Sequence, residues 1–261
     1  MTILFEKYHG AGNDFIMIDG RDTPESFFTT DIIKYLCDRH FGVGADGLIL
    51  LLEDPSADFR MKYFNSDGRE GTMCGNGGRC IVAFASSKGL INSETTFAGI
   101  DGLHQAVIKD NGLVSLHISD VDGVQKLSDG YLLNTGSKHF VTFRDDIGNI
   151  DVFREGRALR YESRFSSDGA NINFIRMEGK QEITIRTYER GVEDETMACG
   201  TGSVASAITA YIHTGTDRSS FTLHAPGGQL SVSFNPVGDG AFTDIWLEGP
   251  VKYVFSGEID I

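Results

Sequence analysis

Cysteine is scarce in this chain of 261 residues: there are four, and none forms a C-x-x-C pair. Cys37, Cys74, Cys80 and Cys199 are too few and too irregularly spaced for the disulfide framework of a small secreted protein, and they argue against zinc or any other bound metal. Positive charge is scarce as well, with 23 Lys and Arg against 37 Asp and Glu and a formal net charge of −14. That balance disfavours a phosphate backbone as partner, and no basic run supplies a nucleic-acid footprint. No apolar run reaches the roughly 18 residues of a membrane helix, and Met1-Thr2-Ile3-Leu4-Phe5-Glu6-Lys7 is not a basic, apolar leader. The expectation is a soluble cytoplasmic enzyme acting on a small molecule, with no nucleic-acid and no membrane partner.

What is present is a repeat. Cys74-Gly75-Asn76-Gly77 opens the apolar run Ile81-Val82-Ala83-Phe84-Ala85, and 125 residues later Cys199-Gly200-Thr201-Gly202 opens Val204-Ala205-Ser206-Ala207-Ile208. Each is a cysteine, two alternating glycines and an apolar stretch of helical length. A helix start leaves its first N–H groups without intrahelical partners, and alternating glycines let a ligand approach them closely. The partial positive charge there attracts anions and favours thiolate over thiol. Each copy therefore reads as a base beside an anion cradle.

The repeat extends further. Ala98-Gly99-Ile100-Asp101-Gly102 is echoed by Ala225-Pro226-Gly227-Gly228, each between a strand and a return strand. Two matched halves, each with strands around one buried helix, account for this pattern. The division predicted is 1–120 for the first half, rejoined by a C-terminal strand over 250–261, and 121–249 for the second, with Asp120-Val121-Asp122-Gly123 as a polar linker. Within the first half, Leu4 to Asp19 reads as two strands around a turn that presents Asn13. A short helix after Thr30 buries Ile32, Ile33 and Leu36, Leu48–Leu52 is a buried strand, and Phe59–Phe64 alternates. In the second half, strands are predicted at Tyr131–Leu133, His139–Phe143, Asn171–Ile175 and Ile183–Tyr188, with a helix over Val152–Leu159. Cys37 and Cys80 fall among apolar neighbours and read as core residues.

Acyl transfer by cysteine needs one nucleophile with a base and an oxyanion site, whereas two symmetric thiols suit a different task. If the halves face each other, one thiolate can remove a proton from a carbon while the opposite thiol returns one to its other face, which inverts the centre. Charge left by removal of an amino acid's α-proton can be stabilised by N–H donors from Gly75, Asn76, Gly200 and Thr201 aimed at the α-carboxylate. The opposing interpretations are that both cysteines are structural, or that they form a redox-switched disulfide in a non-catalytic protein.

These residues resemble the diaminopimelate epimerase family over nearly the whole chain. The marks are His9-Gly-Ala-Gly-Asn13-Asp-Phe15, Phe64-Asn65-Ser-Asp-Gly68, Cys74-Gly-Asn-Gly-Gly-Arg-Cys80, Tyr188-Glu-Arg-Gly191 and Glu195-Thr-Met-Ala-Cys199-Gly-Thr-Gly202. The resemblance implies an α/β (α+β) fold of two pseudo-symmetric domains, each a barrel-like sheet around a central helix. It also implies a cofactor-independent isomerase, commonly a homodimer, that interconverts LL- and meso-diaminopimelate in lysine and peptidoglycan precursor synthesis. By it, Cys74 and Cys199 are the acid/base pair, and Gly75, Asn76, Gly200 and Thr201 bind the reacting carboxylate. Asn13, Asn65, Asn171, Glu189 and Arg190 take the remaining polar groups, and His139 and Glu189 tune the thiols. Arg190 suits a distal carboxylate and Glu189 an ammonium. A proline or hydroxyproline racemase of the same fold is the nearest alternative; buried charge at Glu189 and Arg190 with no substrate partner would count against it. Two departures stand out: many members have glutamine where this chain has Gly47, and Gly-Asn-Pro-His where it has Gly136-Ser137-Lys138-His139.

Overall fold

The alternation and the two apolar helices predicted above appear in a computed structural model that describes residues 1–165 and 168–261. It divides into two units, Met1–Leu116 with Gly249–Ile261, and His117–Glu248. In the first unit, β1 (Thr2–Gly10) turns back through Ala11 and Gly12, both at positive φ, into β2 (Asn13–Asp19). Helix α1 (Thr30–Cys37) starts at Thr29, whose hydroxyl accepts from the Ile32 N–H, and ends at Cys37. Beyond it, Gly42, Val43 and Gly44 return their N–H groups to the Asp38 and Leu36 carbonyls. Strands β3 (Gly47–Leu52), β4 (Phe59–Asn65), β5 (Glu94–Gly99), β6 (Gly102–Ile108) and β7 (Val114–Ile118) follow, with helix α2 (Gly75–Ser87) between β4 and β5. Every residue of β3 is buried, which is why it reads as a continuous apolar run.

The second unit repeats the plan. It contains β8 (Val124–Lys126), β9 (Tyr131–Asn134), β10 (Lys138–Phe143), α3 (Val152–Arg160), β11 (Asn171–Met177), β12 (Glu182–Glu189) and β13 (Asp194–Thr196). Then come α4 (Gly200–Thr214), β14 (Ser220–Ala225), β15 (Gly228–Gly238) and β16 (Ala241–Gly249). The final strand, β17 (Lys252–Asp260), belongs to the first unit and pairs antiparallel with β1.

Pairing shows the duplication directly. From β1 to β6 successive pairs run antiparallel, parallel, antiparallel, parallel, antiparallel. From β9 through β10, β11, β12 and β14 to β15 the same sequence recurs. Parallel neighbours require crossovers, and helices supply them: α1 and α3 at the first parallel pair, α2 and α4 at the second. Each unit is thus a mixed sheet curled around one helix. α2 packs on β1, β2, β3, β4 and β6, and α4 on β9, β10, β11, β12, β14 and β15. Both helices are apolar on nearly every side, as enclosure demands.

Register equates positions between units. Phe15, Gly47 and Asn65 lie side by side across β2, β3 and β4, and His139 and Asn171 across β10 and β11, with Glu189 next on β12. Asp120-Val121-Asp122-Gly123 is less exposed than a polar linker would be. Val121 is 1% exposed and exchanges both backbone hydrogen bonds with Phe242. Among the described residues no helix is long and apolar enough to cross a membrane.

Candidate active site

Both cysteines sit at the N-cap of a buried helix. Cys74 (φ −108°, ψ 119°) and Cys199 (φ −114°, ψ 115°) have nearly the same extended backbone. Neither side chain caps the helix. Serine or aspartate at that position would occupy an N–H of the first turn; these two side chains do not. The packing is close: a Cβ on Gly202 would lie 2.4 Å from Asn173 Oδ1 and 3.3 Å from Cys199 Sγ. Cys37 and Cys80 differ in kind. Burial pushes the Cys37 thiol up to about 12 and the fully buried Cys80 thiol above its ordinary value, so neither ionises at neutral pH.

In the first unit the amides are ordered by charges at both ends of a chain. Arg79 Nη2 donates to Asn76 Oδ1 (2.8 Å), so Asn76 Nδ2 faces Asn13 Oδ1 (3.2 Å), and Asn13 Nδ2 donates to Asp46 Oδ2 (2.7 Å). The oriented Asn13 oxygen also accepts from the Cys74 thiol at 3.6 Å. Arg39 bridges Asp46 and Asp14, both at 2.7 Å, and Lys7 meets Asp14 at 2.8 Å. Burial would raise the Asp14 carboxyl, but hydrogen bonds from Arg39 and Lys7 outweigh it and hold it well below the usual range. Asn65, at the end of β4, is ordered differently: Tyr63 Oη donates to its Oδ1 at 2.9 Å. The departure at Gly47 is explained here, since a Cβ at that position would fall 2.6 Å from the Tyr63 ring and 2.5 Å from the Phe64 carbonyl oxygen. Tyr63 occupies the space a side chain at 47 would need.

In the second unit the thiol meets a hydroxyl and a histidine. Cys199 Sγ is 3.6 Å from Thr201 Oγ1, which is 2.9 Å from His139 Nε2, and Ser137 Oγ lies 2.9 Å from the same nitrogen. Asn173 decides the direction of these bonds. Its Nδ2 donates to the Phe140 carbonyl (3.2 Å) while its Oδ1 accepts from Thr187 Oγ1 (3.0 Å), so it must present N–H to His139 Nδ1 at 3.1 Å. Burial lowers the His139 pKa to about 3. The ring is neutral, its proton is on Nε2, and it donates to Thr201 or Ser137 rather than acting as a base toward them. Thr201 is left with its own proton to turn toward Cys199.

Asn171 Nδ2 donates to Ser137 Oγ (3.1 Å) and the Lys138 carbonyl (3.3 Å), and its Oδ1 accepts from the Arg190 backbone N–H (2.8 Å). Glu189 Oε2 accepts from Thr196 Oγ1 at 3.0 Å. The Arg190 side chain is exposed and has no ion-pair partner among the described residues. Within each unit the predicted residues therefore converge: Asn13, Gly75 and Asn76 around Cys74, and His139, Gly200 and Thr201 around Cys199, with Asn171 bonding both Ser137 and the Arg190 backbone. Four contributors went unread in the sequence: Tyr63, Arg79, Asp46 and Asn173. Two of them carried a signal: Asn173, which the two-residue period of β11 puts on the same face as Asn171, and Arg79, which stands in the Cys74–Cys80 motif.

A sequence profile described as "Diaminopimelate epimerase" matches residues 5–124 and 131–254. The chain is also 50% identical over 254 residues to a protein named diaminopimelate epimerase from Flavobacterium psychrophilum, covering 97% of this chain and 98% of that one. The chain belongs to the diaminopimelate epimerase family. Solved structures extend the family's fold to more distant proteins. One, of the phenazine biosynthesis PhzF family from Bacillus anthracis, has a TM-score of 0.78 at 16% identity and covers 100% of both chains. Another, a hydroxyproline epimerase from Agrobacterium vitis, has a TM-score of 0.71 at 16% identity, covering 99% of this chain and 91% of that one. At that identity the likeness is one of fold alone.

Proposed function

We infer that this chain is an isomerase that interconverts LL- and meso-diaminopimelate, the activity named for relatives that share up to half of its residues along its full length. The reaction serves lysine and peptidoglycan precursor synthesis in the cytoplasm. The roles of individual residues are our assignment. Cys74 and Cys199 are the two bases: one sulfur, as thiolate, takes the α-proton, and the other, as thiol, delivers one to the opposite face. The sulfurs thereby exchange protonation states, and the reverse reaction uses them in the opposite order.

What supports this assignment is the paired, uncapped helix starts. N–H donors from Gly75, Asn76, Gly200 and Thr201 take the α-carboxylate and stabilise the charge that spreads onto it, a contribution of about 3 kcal/mol per oxyanion donor in comparable sites. Asn13, Asn65 and Asn171 bind the other polar groups. Arg190 pairs with the distal carboxylate, and Glu189 accepts from an ammonium while tuning the thiols with His139. The mechanism draws on no bound cofactor or metal.

The experiment is α-proton exchange. The reduced protein, incubated with LL-diaminopimelate in deuterated water, is expected to yield meso product carrying α-deuterium, read by NMR. Neither deuterium nor meso product with this substrate, but exchange of proline or hydroxyproline instead, would overturn the reading in favour of the sister racemases.

We further propose a homodimer joined through the exposed β1–β17 edge. Leu4 on one face of that pair and Phe255 on the other, with Tyr253 and Val254 beside them, are 71%, 44%, 52% and 51% exposed, apolar surface at an edge strand of the kind that association covers. Sedimentation showing only monomer, or a dimer unchanged by Phe255→Glu, would contradict it.

A further inference from the structure

Arg79 is the anomaly of the first unit. Its side chain is 0% exposed, yet no carboxylate pairs with it among the described residues. Nη1 donates to the Gly75 carbonyl (3.2 Å) and Nη2 to Asn76 Oδ1 (2.8 Å), while Nε is buried without a partner. Burial lowers its pKa, but a guanidinium retains its proton at any ordinary pH. Buried charges are kept where a counter-charge meets them, and here the described residues supply none.

Helix packing does not explain it. Five residues beyond Cys199, the equivalent position in α4 is Val204, also 0% exposed, so a helix of this kind packs inside its sheet with an apolar side chain. Room is nevertheless reserved for the guanidinium: a Cβ on Gly10 would come within 3.4 Å of Arg79 Nη2 and 3.0 Å of the Asn76 carbonyl. The charged groups around α2 are otherwise committed. Asp14 is held by Lys7 and Arg39, Asp46 by Arg39 and Asn13, and Glu6 by Lys88. The titratable groups that feel the charge of Arg79 are Cys80, which burial keeps as a thiol, and Cys74.

We propose that Arg79 is the fixed cation of the first helix start, its counter-charge supplied by the Cys74 thiolate and by the α-carboxylate of bound substrate. Its charge stabilises the thiolate of Cys74 and the carboxylate held by Gly75 and Asn76, and its Nη2 bond orients the Asn76 amide toward Asn13. The role is that of a positioning residue acting through Cys74 and Asn76, and it rests on the two-base assignment above. The asymmetry has a chemical use. One sulfur is favoured as thiolate by a buried charge and the other by a hydroxyl, so the two environments can be set independently.

The test uses protein labelled with ¹³C at cysteine Cβ, whose shift reports thiol or thiolate without any turnover. Removing a nearby cation raises a thiol pKa. In Arg79→Met the ionisation midpoint of Cys74 is expected to rise by about one pH unit or more, that of Cys199 to stay, and turnover to fall at least thirtyfold with no loss of melting temperature. Arg79→Lys, which restores the charge, should return the Cys74 midpoint toward its original value. Should the Met variant not fold, Arg79→Gln carries the same expectation. A Cys74 midpoint that stays put in a folded Met or Gln variant, or moves together with that of Cys199, would overturn the proposal. Full turnover in Cys74→Ser would instead defeat the two-base assignment, and the midpoint measurement would stand apart from it.

Discussion

The two helix starts share a backbone and differ in everything that touches the sulfur. Around Cys74 the partners are amides, ordered by Arg79 at one end and Asp46 at the other. Around Cys199 they are a threonine hydroxyl and a neutral histidine ordered by Asn173. Register makes the contrast sharper. Where β10 carries His139, β2 carries Phe15; where β11 carries Asn171, β3 carries Gly47; and where α2 carries Arg79, α4 carries Val204. Duplication preserved the geometry that both sites need, a cysteine above uncapped N–H groups. The surrounding side chains diverged.

The largest effect expected of any single change falls on both sulfurs equally. Cys74→Ser and Cys199→Ser should each lower the rate of epimerisation by roughly 10²–10⁴, the range for loss of a positioned acid or base. A variant that keeps full activity in either direction would show that one unit's thiol is dispensable and dissolve the symmetry of role. Thr201→Val should be milder and confined to the second unit. With the hydroxyl gone, Cys199 loses its link to His139 (3.6 Å and then 2.9 Å), and its thiol pKa should rise while that of Cys74 holds. Thr201→Ser, which keeps the hydroxyl, should leave it near its original value; equal shifts at both cysteines would contradict the division.

The smallest effect is on stability. His139 is neutral when folded, with its pKa lowered from 6.5 to about 3, so between those values the unfolded chain binds the proton and the folded one does not. Stability from this residue is therefore complete above about pH 6.5 and declines as the pH falls toward 3, by at most about 1.4 kcal/mol per pH unit. His139→Gln should flatten that part of the unfolding profile. A profile of unchanged slope would mean that His139 titrates alike in both states. Nothing in the first unit answers to this, because Phe15 holds the corresponding place.

Much of the fold was legible because its signals are local. Alternation marked β4, a continuous apolar run marked β3, and glycine pairs after cysteine marked the starts of α2 and α4. Strands β7 and β16 were not legible. β16 is interrupted by Asp244 at positive φ and pairs with β15 through shifts of register, which break the two-residue period that reveals a strand. Val121 looked like part of a linker because its neighbours are acidic, and only its bond to Phe242 makes it core.

At the site the same boundary holds. The sequence by itself determined the candidate groups: two thiols at helix starts, the N–H groups beside them, and an acid and an arginine at one strand end. Each is fixed by chemistry within a few residues of chain. Tertiary structure alone decided how those atoms are turned and charged. Whether Asn13 offers oxygen or nitrogen to Cys74 depends on Asp46, thirty-three residues away, and the tautomer of His139 depends on Asn173, thirty-four away. That Arg79 lies buried without a carboxylate depends on every strand packed around α2. Hydrogen-bond direction and desolvation belong to the whole set of neighbours, and a linear sequence does not say who the neighbours are.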